Sequence, residues 1–175
     1  LTIEVWYPAK LQADQKQITT YSDVLGHGAS NPARPNLPFR FGGRAARNAE
    51  ADASSKSLPL VIISHGYSGS RVIMTWLAEN LASKGYIVAA IDHTESTHAD
   101  AGSISSTMIN RPRDINFVIS SVAELSQNSG SFLFGMINAE LTAVVGYSMG
   151  TYGALSAAGV GASQGAVDYL GGVPG

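Results

Sequence analysis

The stretch VVGYSMGTYG, residues 144–153, places one serine between two glycines directly after a short apolar run. Its central five residues, Gly146 to Gly150, fit the pattern G-x-S-x-G. This pattern is typical of a tight turn from a buried strand into a helix, in which side chains two positions from the serine would collide with neighbouring backbone. Such a turn lifts the hydroxyl above the edge of a sheet and directs the first amides of the helix toward a reacting carbonyl. We therefore predict that Ser148 is a nucleophile.

Apolar runs of strand length alternate with helical periodicity along the chain. The runs that suit strands are Leu1–Tyr7, Leu58–Ser64, Tyr86–Ile91, Leu141–Val145 and Ala166–Leu170. Helical spacing covers residues 71–84, a segment opened by Pro112, and Met149–Ala158. In the first helix Ile73, Trp76, Leu77 and Leu81 fall on one helical face, and we expect Trp76 and Leu81 to pack against the sheet. This alternation predicts an α/β fold, a mostly parallel twisted sheet with helices on both faces.

The composition indicates a single domain over residues 1–175, with a long irregular insertion at about 8–57 that is rich in Gly, Pro and Asn. Hydrophobic residues make up 45% and charged residues 14%, so the chain can bury a core. A net charge of −2 gives no electrostatic basis for binding nucleic acid. No apolar run approaches the roughly 20 residues of a membrane span. Because the sequence has no cysteine, disulfides and thiol catalysis are excluded.

A second polar segment, His65-Gly66-Tyr67, follows the apolar run that ends at Ser64. An acyl-transfer site needs amide donors for the negative oxygen of its intermediate. We predict that the N–H groups of Tyr67 and Met149 form this oxyanion hole, since Tyr67 lies in the loop after one predicted strand and Met149 begins the helix after another. His65 has two interpretations, a catalytic base or a hydrogen-bonded structural residue, and the second is favoured.

These segments together resemble the α/β-hydrolase superfamily. The motifs that carry the resemblance are IEVWYPA at 3–9, LPLVIISHGYSGSR at 58–71, GYIVAAIDH at 85–93, RPRD at 111–114 and AVVGYSMG at 143–150. Within the superfamily, the chain is similar to dienelactone-hydrolase-like and platelet-activating-factor-acetylhydrolase-like serine esterases, with polyester-degrading cutinases as more distant relatives. The resemblance implies hydrolysis of a small-molecule carboxylic ester through an acyl-serine intermediate, with no metal and no cofactor.

The resemblance also implies a catalytic acid and then a histidine after the serine. Every histidine of this sequence precedes the serine: His27, His65, His93 and His98. Asp168 follows the serine and is the candidate acid, the alternative being a strand-end residue bonded to backbone amides. We expect the catalytic histidine to come from a missing C-terminal segment or a second chain. The alternative function is a non-catalytic binding module derived from the hydrolase fold.

Two further polar clusters have open interpretations. The segment 92–100 carries carboxylate and imidazole groups that could hold a divalent ion. A polar loop beside the active cleft is the favoured interpretation, with His93 lining the substrate pocket. Arg111, Arg113 and Asp114 are interpreted as a solvated or locally paired start of a helix.

Overall fold

The computed structural model describes residues 1–25, 33, 35–160, 165 and 168. Its elements in chain order are β1 (Thr2–Trp6), β2 (Ala9–Lys10), β3 (Thr19–Leu25), β4 (Leu37–Gly43), β5 (Glu50–Ala51), β6 (Leu58–Ser64), α1 (Thr75–Ala82), β7 (Ile87–Asp92), α2 (Ile104–Gln127), β8 (Ile137–Gly146) and α3 (Met149–Ala157). The predicted alternation of strands and helices is confirmed from β6 to α3.

Four strands form the central sheet of the part of the chain that the structure describes, in the order β1-β7-β6-β8. β6 is parallel to both β7 and β8, whereas β1 is antiparallel to β7. Every residue of Ile87–Ile91 is at most 1% exposed. Such continuous apolar sequence is needed because helices cover both faces of these strands.

Alternate residues of β6 contribute to two separate cores, one on each face of the sheet. Leu60 and Ile62 pack in the cluster that contains Ile115 of α2. Val61 and Ile63 pack in the cluster that contains Ala78 of α1. This alternation follows from the period of two along a strand. The parallel arrangement brings the carboxyl ends of β6, β7 and β8 to one edge, where their following loops meet.

Helix α1 presents a different face to the sheet from the one that the sequence predicts. Its buried residues are Thr75, Ala78 and Ala82. Trp76 is 71% exposed, so its predicted packing against the sheet is wrong, whereas Leu81 is partly buried against the core. Small side chains let the helix lie close to the strands, and the largest apolar residue of the helix is left outside.

Pro112 lies inside α2 and not at its start, which corrects the predicted boundary. The helix begins after Ser103, whose side chain accepts a hydrogen bond from the Ser106 N–H at 3.2 Å. The predicted apolar face is confirmed, because Ile115 and Val118 are buried on it. Among the described residues, no helix has both the length and the apolar character needed to cross a bilayer.

The predicted irregular insertion at about 8–57 contains regular structure, which is a second correction. β3 and β4 form an antiparallel hairpin of seven paired residues, and β2 pairs with β5. Thr19 and Tyr21 of β3 are buried while Thr20 is exposed, as the alternation of a strand requires. Pro38 and two glycines interrupt the sequence pattern that would predict β4 as a strand. A proline is nevertheless tolerated on an edge strand.

Candidate active site

Ser148 occupies the turn between β8 and α3 in a backbone conformation that is rare for residues with a side chain. Its φ is 54° and its ψ is −123°, and the residue is exposed. Holding a non-glycine residue in such a region costs on the order of 1–3 kcal/mol. The surrounding contacts must therefore impose this conformation, and conformations of this kind cluster at functional sites.

Close backbone contacts explain both glycines around the serine. A β-carbon added to Gly146 would lie 2.3 Å from the carbonyl oxygen of Gly150. A β-carbon added to Gly150 would lie 2.0 Å from the carbonyl oxygen of Ser64. The collisions that the G-x-S-x-G pattern predicts are therefore present, and α3 begins directly against the end of β6.

The loop after β6 reaches the same point. A β-carbon added to Gly66 would lie 3.0 Å from the Cβ of Ser148. The Tyr147 N–H donates to the carbonyl oxygen of Ser64 at 3.0 Å, which ties the serine turn to the end of β6. The structure therefore brings the two loops together at Ser148, as their positions after neighbouring parallel strands require.

The two predicted amide donors flank this contact. Tyr67 follows Gly66, and its hydroxyl donates to the carbonyl oxygen of Gly102 at 2.7 Å. Met149 is the first residue of α3, so its N–H has no acceptor within the helix. The placement is compatible with an oxyanion hole, and the roles of Tyr67 and Met149 stay predictions.

His65 is buried below this loop as a neutral residue. It is 1% exposed, with Nδ1 2.6 Å from the carbonyl oxygen of Gly66 and Nε2 3.3 Å from the N–H of His93. Because the carbonyl only accepts and the amide only donates, the ring carries its proton on Nδ1. Burial lowers the pKa of His65 to about 3. These contacts support the structural interpretation of His65 over that of a catalytic base.

A buried chain of hydrogen bonds continues through His93. Its Nε2 lies 2.8 Å from Ser64 Oγ and its Nδ1 lies 3.1 Å from Asp114 Oδ2. Since the carboxylate accepts, Nδ1 is the donor and Nε2 accepts from the Ser64 hydroxyl. Burial lowers the pKa of His93, although the bond to Asp114 acts in the opposite direction. With His93 only 1% exposed, the prediction that it lines the substrate pocket is wrong.

Ser64, His93 and Asp114 are thus linked in the order of a serine–histidine–acid triad, but Ser64 has no exposed surface. A substrate carbonyl cannot approach a hydroxyl that is enclosed by the sheet and α2. The three residues therefore fix the ends of β6 and β7 relative to α2 and take no direct part in a reaction.

Arg111 belongs to the same network and not to a solvated start of a helix, which corrects the interpretation of both Arg111 and Asp114. Its side chain is fully buried and donates to the carbonyl oxygen of His65 and to the hydroxyls of Ser64 and Ser96. Burial lowers the pKa of Arg111 to about 10, which leaves the guanidinium charged at neutral pH. This buried cation holds the backbone where β6 ends.

A sequence signal for these two residues exists. Arg111 and Asp114 precede Ile115, Val118 and Val122 at the same helical spacing, and all five are buried on α2. Starting the helix at Pro112 placed the two charged residues in its first turn, where polar groups are expected to be solvated. A helix begun about two turns earlier, at Ile104, assigns them to the buried face.

The remaining candidates lie apart from this network. His98 Nδ1 is 3.2 Å from Ser68 Oγ, and His27 lies outside the described residues. Asp168 is exposed and helical, so the predicted strand Ala166–Leu170 is wrong at that residue. The rest of that strand lies outside the described residues, and the assignment of Asp168 as the acid stays a prediction.

The polar segment 92–100 gives no support to a metal site. Across the described ranges, which include this whole segment, no group of three or more His, Cys, Asp or Glu side chains is placed to hold a metal ion. Its side chains instead stabilise the loop, since Asp100 accepts from the Glu95 N–H at 3.2 Å.

Comparison with known proteins identifies related sequences. A protein-family model described as PET hydrolase-like matches residues 41–168. A platelet-activating factor acetylhydrolase from Canis lupus familiaris is 33% identical over 104 residues, which cover 59% of this chain and 18% of that protein. The cutinases est1 and est2 from Thermobifida alba are each 34% identical over 95 residues, which cover 54% of this chain and 28% of each cutinase. The chain thus spans less than a third of the length of these relatives.

Among solved structures, a ferulic acid esterase from Streptomyces cinnamoneus matches with a TM-score of 0.51 and 20% identity. The match covers 87% of this chain and 58% of that one. At this identity the likeness concerns the fold alone, and it confirms the predicted class, a mostly parallel sheet with helices in an α/β-hydrolase arrangement. The sequence relatives confirm the predicted resemblance to α/β-hydrolase esterases.

Proposed function

Because the chain belongs to the PET hydrolase-like family, we propose that it is a serine-dependent carboxylic-ester hydrolase with Ser148 as its nucleophile. The cutinases and the acetylhydrolase among its relatives support ester hydrolysis at the level of the family. The observation that carries the assignment to Ser148 is its exposed position at φ 54° in a strand-to-helix turn that two glycines make sterically feasible.

In the proposed reaction, the Ser148 oxygen bonds to the ester carbonyl carbon while its proton passes to a base. The π electrons of the carbonyl move to its oxygen, and the tetrahedral intermediate then expels the alcohol, which takes up that proton. Water releases the acid from the acyl-serine by the same steps. The amides of Tyr67 and Met149 would donate to the negative oxygen, a contribution of about 3–4 kcal/mol for each donor.

The buried hydrogen bonds of Arg111 and His65 support this proposal, because they fix the loop that carries the Tyr67 amide. Arg111 binds the carbonyl oxygen of His65, and His65 binds that of Gly66. Hydrogen bonds to the carbonyl oxygens of His65 and Gly66 therefore fix the backbone that leads to the Tyr67 amide. A donor that is fixed before the reaction needs no reorganisation when the negative charge develops.

A serine hydroxyl is a weak nucleophile without a positioned base. Within the described ranges, His65, His93 and His98 each bond to a group other than Ser148. The base is therefore proposed to come from outside the described residues, in a further segment or a second chain. Asp168 remains the proposed acid, to orient that histidine.

Added imidazole tests the proposal, because the exposed Ser148 is accessible to a dissolved base. Hydrolysis of p-nitrophenyl acetate by this chain is measured with and without imidazole, for the wild type and for Ser148→Ala. We expect the Ser148-dependent part of the rate to rise about tenfold or more with imidazole. Ser120→Ala, at an exposed serine on α2, should behave as the wild type. Equal rates for the wild type and Ser148→Ala at every imidazole concentration would reject the proposal.

The second candidate is a non-catalytic binding module of hydrolase fold. It is favoured by the engagement of His65, His93 and His98 with groups other than Ser148. A chain that folds but shows no Ser148-dependent hydrolysis, with or without imidazole, would favour this candidate over the esterase.

A further inference from the structure

The β3–β4 hairpin reaches the edge of the sheet that carries Ser148. The Ser70 hydroxyl, in the loop after β6, donates to Asp23 of β3. The side-chain amide of Asn36, next to β4, donates to the carbonyl oxygen of His98, in the loop after β7, at 2.9 Å. The end of the hairpin is therefore attached to both loops that border the candidate site.

A cavity of about 160 Å³ lies between the hairpin and these loops, and we name it the hairpin pocket. Its walls include Val24, Leu25, Phe39 and Phe41 from the hairpin, and Gly69 and His98 from the loops. The rings of Phe39 and Phe41 are stacked with their centroids 6.0 Å apart. Phe39 is 40% exposed and Leu25 is 61% exposed, so part of this apolar surface faces solvent.

The hairpin pocket is connected to the serine through a single loop. A β-carbon added to Gly69 would lie 2.9 Å from the carbonyl oxygen of Gly66. Gly66 in turn contacts Ser148, since a β-carbon on it would lie 3.0 Å from the serine Cβ. The loop after β6 therefore borders both Ser148, through Gly66, and the hairpin pocket, through Gly69.

We propose that the hairpin pocket binds an uncharged apolar group of about six carbon atoms, carried by the ester substrate; this rests on the proposed function. A cavity of roughly 150 Å³ lined by apolar side chains is known to hold benzene, so the size matches one six-carbon group. Phe39 and Phe41 offer ring faces, and Val24 and Leu25 offer aliphatic surface. Burial of such a group removes apolar area from water on both sides.

The carboxylate of Asp23 determines which charged groups the hairpin pocket disfavours. Asp23 lines the pocket, and its carboxylate accepts from the Ser70 hydroxyl and from the Val24 N–H. A ligand carboxylate placed there would meet this like charge, so an anionic group is disfavoured. The family model begins at residue 41, whereas most of the hairpin precedes it. Half of the lining residues of the pocket, Asp23, Val24, Leu25 and Phe39, therefore lie outside the matched segment.

Binding is tested without reference to catalysis, with fluorobenzene as the probe. Amide chemical shifts of this chain are followed by NMR during a titration. We expect saturable shifts at Leu25 and Gly69.

Val24→Trp, which fills the pocket, should weaken binding about tenfold or more. Val160→Trp, the same substitution at an exposed residue after α3, should leave binding unchanged. If Val24→Trp does not fold, Phe39→Ala, which removes one wall, should weaken binding instead. Shifts confined to other residues, or equal binding by all variants, would overturn the proposal.

Hydrolysis then separates this proposal from the proposed function. The ratio of kcat/KM for p-nitrophenyl hexanoate to that for p-nitrophenyl acetate is measured, with imidazole as the added base. Val24→Trp should lower this ratio about tenfold, whereas Val160→Trp should not. Fluorobenzene binding at the pocket with no Ser148-dependent hydrolysis contradicts the esterase and the ester-borne ligand, but leaves the apolar site itself supported. Ser148-dependent hydrolysis with an unchanged ratio in Val24→Trp overturns the pocket alone.

Discussion

Gly150 lies against the carbonyl oxygen of Ser64, so closely that a β-carbon on Gly150 would be 2.0 Å from that oxygen. This contact joins the first turn of α3 to the end of β6. It also sets the position of Ser148 relative to the loop that begins at His65. The geometry of the candidate site therefore depends on the absence of one methyl group.

Gly150→Ala should destabilise the protein by about 3 kcal/mol, because the added methyl must displace backbone and not a movable side chain. The free energy of unfolding is measured by urea denaturation. Gly42→Ala is the matched control, since a β-carbon there meets nothing within 4 Å, and its effect should stay within about 0.5 kcal/mol. Equal effects of the two substitutions would show that α3 does not press against β6 as described.

The positive φ of Ser148 predicts a reversal of the usual preference for alanine over glycine. Ser148→Gly should be more stable than Ser148→Ala by about 1 kcal/mol, because glycine adopts φ 54° without steric cost. At Ser120, inside α2, the order should be the opposite, with alanine more stable by about 1 kcal/mol. Thermal or urea unfolding of the four variants measures both differences. The same order at both positions would contradict the strained turn.

Removal of the buried guanidinium of Arg111 should strongly lower the free energy of unfolding. Arg111→Met should lower the free energy of unfolding by about 3–5 kcal/mol, since it leaves the acceptors at Ser64, His65 and Ser96 without their donor and Asp114 without a nearby positive charge. Arg113→Met, two residues away and exposed, is the control and should change stability by less than about 0.5 kcal/mol. A mild effect at Arg111 would argue against the network.

The buried, neutral ring of His65 should make the folded protein less stable in mild acid. Its pKa in the folded protein is about 3, below its ordinary value of 6.5. Below about pH 6.5 the unfolded chain therefore takes up a proton that the folded chain does not, so stability falls as the pH decreases, by up to about 1.4 kcal/mol per pH unit. His93, whose pKa is also lowered, acts in the same direction.

His65→Gln removes one of these proton uptakes. Between about pH 6 and pH 5 the slope of stability against pH should be smaller in the variant by about 1.4 kcal/mol per pH unit. Urea denaturation at a series of pH values measures the slopes. Above about pH 7.5, where histidine is neutral in both states, the two slopes should coincide. Identical slopes in the acid range would mean that His65 is not buried as a neutral ring.

The central sheet and the serine turn could be predicted because their signals are local. Residues 58–63 are apolar without interruption, as is typical of parallel strands covered on both faces. Gly146 and Gly150 mark the turn because close backbone contacts exclude any larger residue at either position. In both cases the sequence pattern and the physical requirement involve the same few residues.

The errors arise where burial depends on distant partners. Trp76 has the apolar size expected of a core residue, but Ala78 occupies the face of α1 that meets the sheet. The helical spacing of Arg111 with Ile115 indicates its burial, but no local pattern shows that Arg111 and His93 will meet their hydrogen-bond partners on β6, on α2 and in the loops after β6 and β7. The β3–β4 hairpin is not predicted from the sequence because Pro38 lies in β4, and proline is compatible with a strand mainly at an edge.

Treatment of this chain with a fluorophosphonate, followed by intact-mass measurement and peptide mapping, shows directly which serine is the nucleophile. We predict one adduct, on Ser148, formed faster in the presence of imidazole and absent from Ser148→Ala. An adduct on another serine, or equal labelling of the wild type and Ser148→Ala, would contradict the assignment of Ser148 as the nucleophile.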